Sequence, residues 1–138
     1  MIKSNQQEVN ETLKHIKSKY PEANDNGLSA NICAKSETPL NYMNNADFLD
    51  QVNRSRIWIN WAKSFGLRKS INRKHSSYGI KHLIEKDEMS KGYVCNMAAI
   101  VALIIEGVKI TSHGNPLTNL SNKPFMLKVR REARRRFI

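Results

Sequence analysis

Tyr93-Val94-Cys95-Asn96-Met97-Ala98-Ala99-Ile100-Val101-Ala102-Leu103-Ile104-Ile105-Glu106 is the one long, almost uninterrupted apolar run in a chain otherwise rich in Lys, Asn and Ser. Gly92 precedes it, Gly107 follows it, and Glu106 is its single charge. A helix apolar on nearly every side has to be covered on every side, so the run predicts the central helix of the fold. It is too short for a bilayer, which needs about 20 apolar residues.

Just upstream, Asp87 to Gly92 reads as a turn, and Ser76 or Ser77 can cap a short helix that ends near Lys86. Ile80, Leu83 and Ile84 form the buried face of that helix, and Tyr78, Lys81, His82 and Glu85 the other. Gly79 costs a helix about 1 kcal/mol relative to Ala, which predicts a close packing contact there. Two helices joined by a short glycine-containing turn have the outline of a helix-turn-helix. The second of them offers little beyond Asn96 to reach a base edge, so the pair reads as a scaffold.

Further out, Phe48, Val52, Ser55, Ile59 and Ala62 recur at helical spacing from about Asp47 to Phe65. Asn45 is placed to cap this helix and Gly66 to end it. Trp58, Trp61 and Phe65 broaden its apolar stripe, and the two tryptophans read as core before they read as a stacking platform for bases. Val9, Leu13, Ile16 and Tyr20 predict a docked helix from about Gln6, stopped by Pro21. Glu22 to Asn45 loses periodicity and reads as a polar linker, with Leu40, Tyr42 and Met43 pinning its far end. Val108 to Thr111 alternates like a short strand, and Ser112 to Ser121 reads as a loop. Asn122 and Pro124 then open an Arg-rich helix with an apolar stripe of Met126, Val129, Ala133 and Phe137. The expected fold is mainly α. Residues 1–45 supply an N-terminal helix and linker, and residues 46–138 a basic helical domain.

The chain carries 23 Lys and Arg against 12 Asp and Glu, for a net charge of +11. Residues 1–60 hold 7 basic and 7 acidic side chains, whereas residues 61–138 hold 16 and 5. All of the excess lies in the second part, which points to a polyanionic partner. It is gathered in two clusters. One is Arg68, Lys69, Arg73 and Lys74, extended by Lys81, beside a helix start whose free N–H groups would add to a phosphate grip. The other is Lys128, Arg130, Arg131, Arg134 and Arg135, in a stretch from Lys123 to Arg136 with seven basic residues and one acidic one, Glu132. The planar guanidinium fork of Arg suits phosphate. Its apolar stripe is thin for stable membrane binding, so no membrane partner is expected.

Arg73-Lys74-His75-Ser76-Ser77-Tyr78-Gly79-Ile80-Lys81-His82, continuing to the Tyr93 run, resembles small uncharacterised basic proteins carried by phages and plasmids. The resemblance implies an accessory protein of a mobile element and no particular activity or site.

The histidines His15, His75, His82 and His113 and the cysteines Cys33 and Cys95 form no CxxC or HxxxH pattern. There is also no glycine-rich phosphate loop and no Gly-x-Ser-x-Gly elbow, so neither a metal nor a cofactor is expected. Cys95 should pack as a small hydrophobe, and both thiols should be reduced in a cytoplasmic protein without a signal peptide. His75, Tyr78, Lys81, His82 and Glu85 could supply acid–base chemistry, since Glu85 can orient His82. The leading reading is a non-enzymatic binder of DNA or RNA. The alternatives are a protein that docks on an acidic host surface, anchored by Trp58, Trp61 and Phe65, and a small metal-independent ribonuclease.

Overall fold

The computed structural model describes residues 3–29 and 38–127. In chain order its elements are α1 (Gln6–Lys19), a 3-10 turn (Leu40–Tyr42), α2 (Ala46–Lys63), β1 (Leu67–Ser76), α3 (Ser77–Lys86), α4 (Asn96–Ile105), β2 (Leu117–Leu120) and α5 (Lys123–Met126). The described residues are mostly helical, with one small antiparallel sheet, and none of their helices is long and apolar enough to cross a membrane.

The apolar run forms α4, and every residue from Asn96 to Leu103 is buried. Helices α1, α2 and α3 all pack against it. Its first N–H groups, which lack partners within the helix, are met from outside. Cys95 N–H donates to Gln51 Oε1 at 2.8 Å, and Met97 N–H to the Asp25 carbonyl at 3.1 Å. Tyr93 and Val94 therefore stand before the helix. Asn96 is a tie within the core: its Oδ1 accepts from Ser77 Oγ at 2.8 Å, and its Nδ2 donates to the Asn26 carbonyl and Asn115 Oδ1, both at 2.7 Å. With no exposed face from Asn96 to Leu103, α4 has nothing to insert into a DNA groove.

The flanking helices begin where their caps place them. Asn45 Oδ1 accepts Phe48 N–H at 2.8 Å to open α2, and Asn5 Oδ1 accepts Glu8 N–H at 2.9 Å to open α1. Gly66, with φ +93°, ends α2 by turning through the left-handed region. Val9, Leu13 and Ile16 dock α1 on the same apolar cluster that includes Trp58, Leu103 and Phe125.

The polar stretch expected as a linker is held at both of its described ends. Ala23, Leu28, Leu40 and Met43 are buried, while Tyr42 is exposed. Local side-chain bonds offset the ordering entropy that its composition alone could not. Asn24 Oδ1 accepts Asn26 N–H at 2.8 Å, and Asp25 Oδ1 accepts Thr38 N–H at 2.7 Å.

The structure revises several expectations. The basic connector from Leu67 is strand β1, and the presumed loop from Ser112 contains its antiparallel partner β2. The segment expected as a strand, Val108 to Thr111, does pair antiparallel with β2, by the Ile110–Thr118 bridge and by bonds from Thr111 N–H to the Leu117 carbonyl and from Asn119 N–H to the Lys109 carbonyl, though it is too short to form a full strand. Gly79 has open space where a Cβ would stand, so no close contact explains it. At the start of the C-terminal segment Phe125 is buried, whereas Met126, assigned to the apolar stripe, is 76% exposed. Beyond Leu127 the expected Arg-rich helix, with Val129, Ala133 and Phe137, lies outside the described residues, as does Cys33.

Candidate functional site

Strand β1 carries four of the predicted phosphate-binding cations and presents them unusually. Its aligned partners are Leu67 with Leu120, Asn72 with Thr118, and Ser76 with Leu117. Between the first two pairs β1 advances five residues while β2 advances two, and between the next two it advances four against one. The surplus chain leaves the regular ladder at two register shifts. Arg68 and Lys69 sit in the first, Arg73 and Lys74 in the second, and all four are exposed. Bulges of this kind re-aim side chains and are common beside functional sites.

Between the two shifts stands Asn72, almost fully buried. Its Nδ2 donates to the Leu120 carbonyl at 3.1 Å and to Asn122 Oδ1 at 2.7 Å, and its Oδ1 accepts Lys74 N–H at 3.1 Å. Asn119 Nδ2 holds the other shift by donating to the Arg68 carbonyl at 3.0 Å. Two buried amides thus fix the backbone on which the cations ride.

The remaining cations near the core are used differently. Arg54 bonds Asp50 and the Tyr93 carbonyl, both at 2.8 Å. Arg56 Nε meets Glu106 Oε2 at 2.8 Å, and Lys63 Nζ lies 3.3 Å from Glu106 Oε1. Lys81, predicted as part of the binding cluster, is only 8% exposed. Its ammonium donates to the Val94 carbonyl at 2.9 Å and pairs with Glu85 at 3.2 Å, so it braces the turn before α4 and is removed from the phosphate-binding set. Among the described residues, Arg68, Lys69, Arg73 and Lys74 form no ion pair. The other predicted members, Lys128, Arg130, Arg131, Arg134 and Arg135, lie outside the described residues.

The start of α3 offers less than predicted. Ser76 Oγ caps Gly79 N–H at 3.5 Å, and Ser77 N–H donates to the Pro116 carbonyl at 2.8 Å. Two of its leading N–H groups are thereby engaged.

The polar face of α3 forms a second cluster. Glu85 Oε1 lies 3.2 Å from His82 Nδ1, while its Oε2 takes Lys81 and Val94 N–H, each at 3.2 Å. The Tyr78 ring meets the His82 ring edge-on at 4.5 Å. His75 is elsewhere, stacked on Phe125 at 3.7 Å with the rings 4° from parallel. The predicted acid–base set is therefore divided, and Glu85 is shared with the scaffold.

Trp58 is buried and its ring lies 5.7 Å from that of Phe125, so it belongs to the core, as expected. Trp61 and Phe65 extend the same line of rings. Trp58 is enclosed in the core, whereas Trp61 and Phe65 are half-buried beside it. Burial, above all, pushes the Cys95 thiol up to about 11, which leaves it a poor nucleophile. Among the described residues no group of His, Cys, Asp and Glu is arranged to hold a metal ion. Comparison with protein-family models, curated proteins and solved structures found no match.

Proposed function

We propose that this protein is a non-enzymatic nucleic-acid-binding protein that grips phosphates through β1. The observation that carries this reading is the contrast among its cations. Those beside the core are matched with carboxylates and carbonyls, whereas the four on the β1 register shifts are exposed without a carboxylate among the described residues. Lysines on a sheet edge also discourage edge-to-edge aggregation, which would explain scattered charge. It does not explain two bulges that each carry an adjacent pair, pinned by Asn72 and Asn119. Phosphate contacts confer affinity without sequence information, so the binding is expected to be low in specificity. The cations of the C-terminal stretch, Lys128, Arg130, Arg131, Arg134 and Arg135, enter the reading on sequence alone. The accessory role in a mobile element suggested by residues 73–82 fits the same activity.

The test is a salt titration of binding to labelled DNA and RNA. Affinity should fall steeply, by about 0.9 log units per neutralised duplex phosphate for each log unit of salt. Replacing Arg68, Lys69, Arg73 and Lys74 with Ser should flatten that slope while leaving the melting temperature nearly unchanged, because these side chains make no ion pair among the described residues. Failure to bind either nucleic acid at low salt would overturn the reading. Capture of one protein partner in stoichiometric amount from nuclease-treated lysate, without nucleic-acid binding, would do the same.

A further inference from the structure

We infer that the nucleic acid held by β1 is single-stranded, and that Tyr78 and His82 form a stacking platform for one of its unpaired bases. The inference rests on the phosphate-binding reading above and adds the class of ligand. Tyr78 is 49% exposed and the His82 side chain 44% exposed, on the first turns of the helix that directly follows β1. Lys74 and Tyr78 are four positions apart, so their Cα atoms lie within about 14 Å, a span of a few nucleotides.

The pair is prearranged. His82 is held from one side by Glu85 at 3.2 Å, and Tyr78 meets it with the ring planes 87° apart. An edge-on contact covers a face of only one of the two rings, so the other keeps both faces clear of its partner. Lys81 Nζ, paired with Glu85, lies 5.9 Å from the Tyr78 centroid and so fixes one side of that ring. A duplex keeps its bases stacked on each other, whereas a single strand can lay one on a ring, and every base has a π-face.

Tyr93 provides an internal contrast. It is more exposed, at 65%, and it too lies over Lys81, with the ammonium 4.7 Å from its centroid. Tyr93, however, lines a cleft of about 140 Å³ with two carboxylates, Asp25 and Asp47, against the one carboxylate, Glu85, beside His82, and it does not adjoin β1 in the chain. The platform is therefore assigned to Tyr78 and His82 and excludes Tyr93.

The experiment compares a short fluorescein-labelled single strand, its duplex, and a strand of equal length without bases, in both DNA and RNA, by anisotropy. The native protein should prefer the single strand and lose that preference on the baseless strand. Tyr78→Ala should weaken single-strand binding roughly tenfold or more, as expected for one lost stack, and leave duplex binding unchanged. Tyr78→Phe should keep full affinity, which separates stacking from misfolding, and Tyr93→Ala should have little effect. Equal binding of single strand and duplex, or full single-strand affinity in a folded Tyr78→Ala protein, would overturn this inference while leaving the β1 reading intact. If neither form is bound, or if the β1 Ser variant binds with unchanged affinity and salt slope, the β1 reading fails and this inference fails with it.

Discussion

Glu106 shows how much one residue can organise. It is the single charge of the apolar run, and it is buried against Arg56, Lys63 and Asn60. Burial by itself would raise its pKa. Hydrogen bonds from Arg56 and Asn60, the Arg56 charge and the Lys63 bond outweigh that and hold the carboxyl below its ordinary 4.5. Arg56 also donates to Ser4 Oγ at 2.7 Å, so the pair ties the start of the chain to the end of α4. Losing one partner of a buried pair strands the other, at a cost of about 3–5 kcal/mol. Glu106→Ala should lose stability of that order at neutral pH in urea denaturation. A carboxyl with a depressed folded-state pKa contributes stability that is complete above about pH 4.5 and is lost as pH falls through the lower folded value. The gap between native and variant proteins should therefore close in acid. A gap that persists undiminished at about pH 3 would assign the effect to packing.

At the scale of elements, α3 and β1 place the proposed binding surface. In α3, Gly79 is flanked by open space, so a methyl group there should remove the backbone-entropy penalty of glycine without a clash. Gly79→Ala should raise stability by about 0.5–1 kcal/mol, seen as a higher melting temperature. A lower one would reveal a conformational demand that α3 does not display. Gly27 is the opposite case: its added Cβ would stand 2.2 Å from the Gly114 carbonyl oxygen. In β1, the residues that fasten the strand differ from the exposed cations proposed to bind. Asn72 fastens the strand by three hydrogen bonds, while the neighbouring Arg73 and Lys74 are exposed. Alternation of apolar side chains, the usual mark of a strand, is missing here because buried amides hold β1 in place of apolar packing.

Over the whole molecule, one apolar cluster takes side chains from α1 through α5, including Val9, Ile16, Val52, Ile84, Ile100, Leu120 and Phe125. Elements that share a core unfold together in a small protein. Ile16→Ala on α1 should cost about 2–5 kcal/mol, and the loss should register equally in tryptophan fluorescence from α2 and in far-ultraviolet dichroism. If the tryptophan transition did not move, α1 would be a detachable appendage. The charge distribution also crosses elements, since the described helices of the balanced residues 1–60 pack on the same α4 as α3 from the basic remainder.

The helices were legible because their signals are local. Asn45 and Ser76 mark the starts of α2 and α3, the apolar period marks the inward faces, and the near-uniform apolarity of the Tyr93–Glu106 run predicts its central place. The mainly α character, the core role of Trp58 and the inert setting of Cys95 follow from the same logic. The sheet was not legible, since β1 and β2 are separated by two helices and neither alternates cleanly. Nor could the sequence sort its cations. Lys81 and Arg73 are alike as residues, but only three-dimensional packing brings Glu85 and the Val94 carbonyl to one and leaves the other exposed. Sequence by itself determined that this chain has an α-helical core and a surplus of positive charge. Tertiary structure decided which charges that core consumes, because pairing depends on distances between residues far apart in the chain.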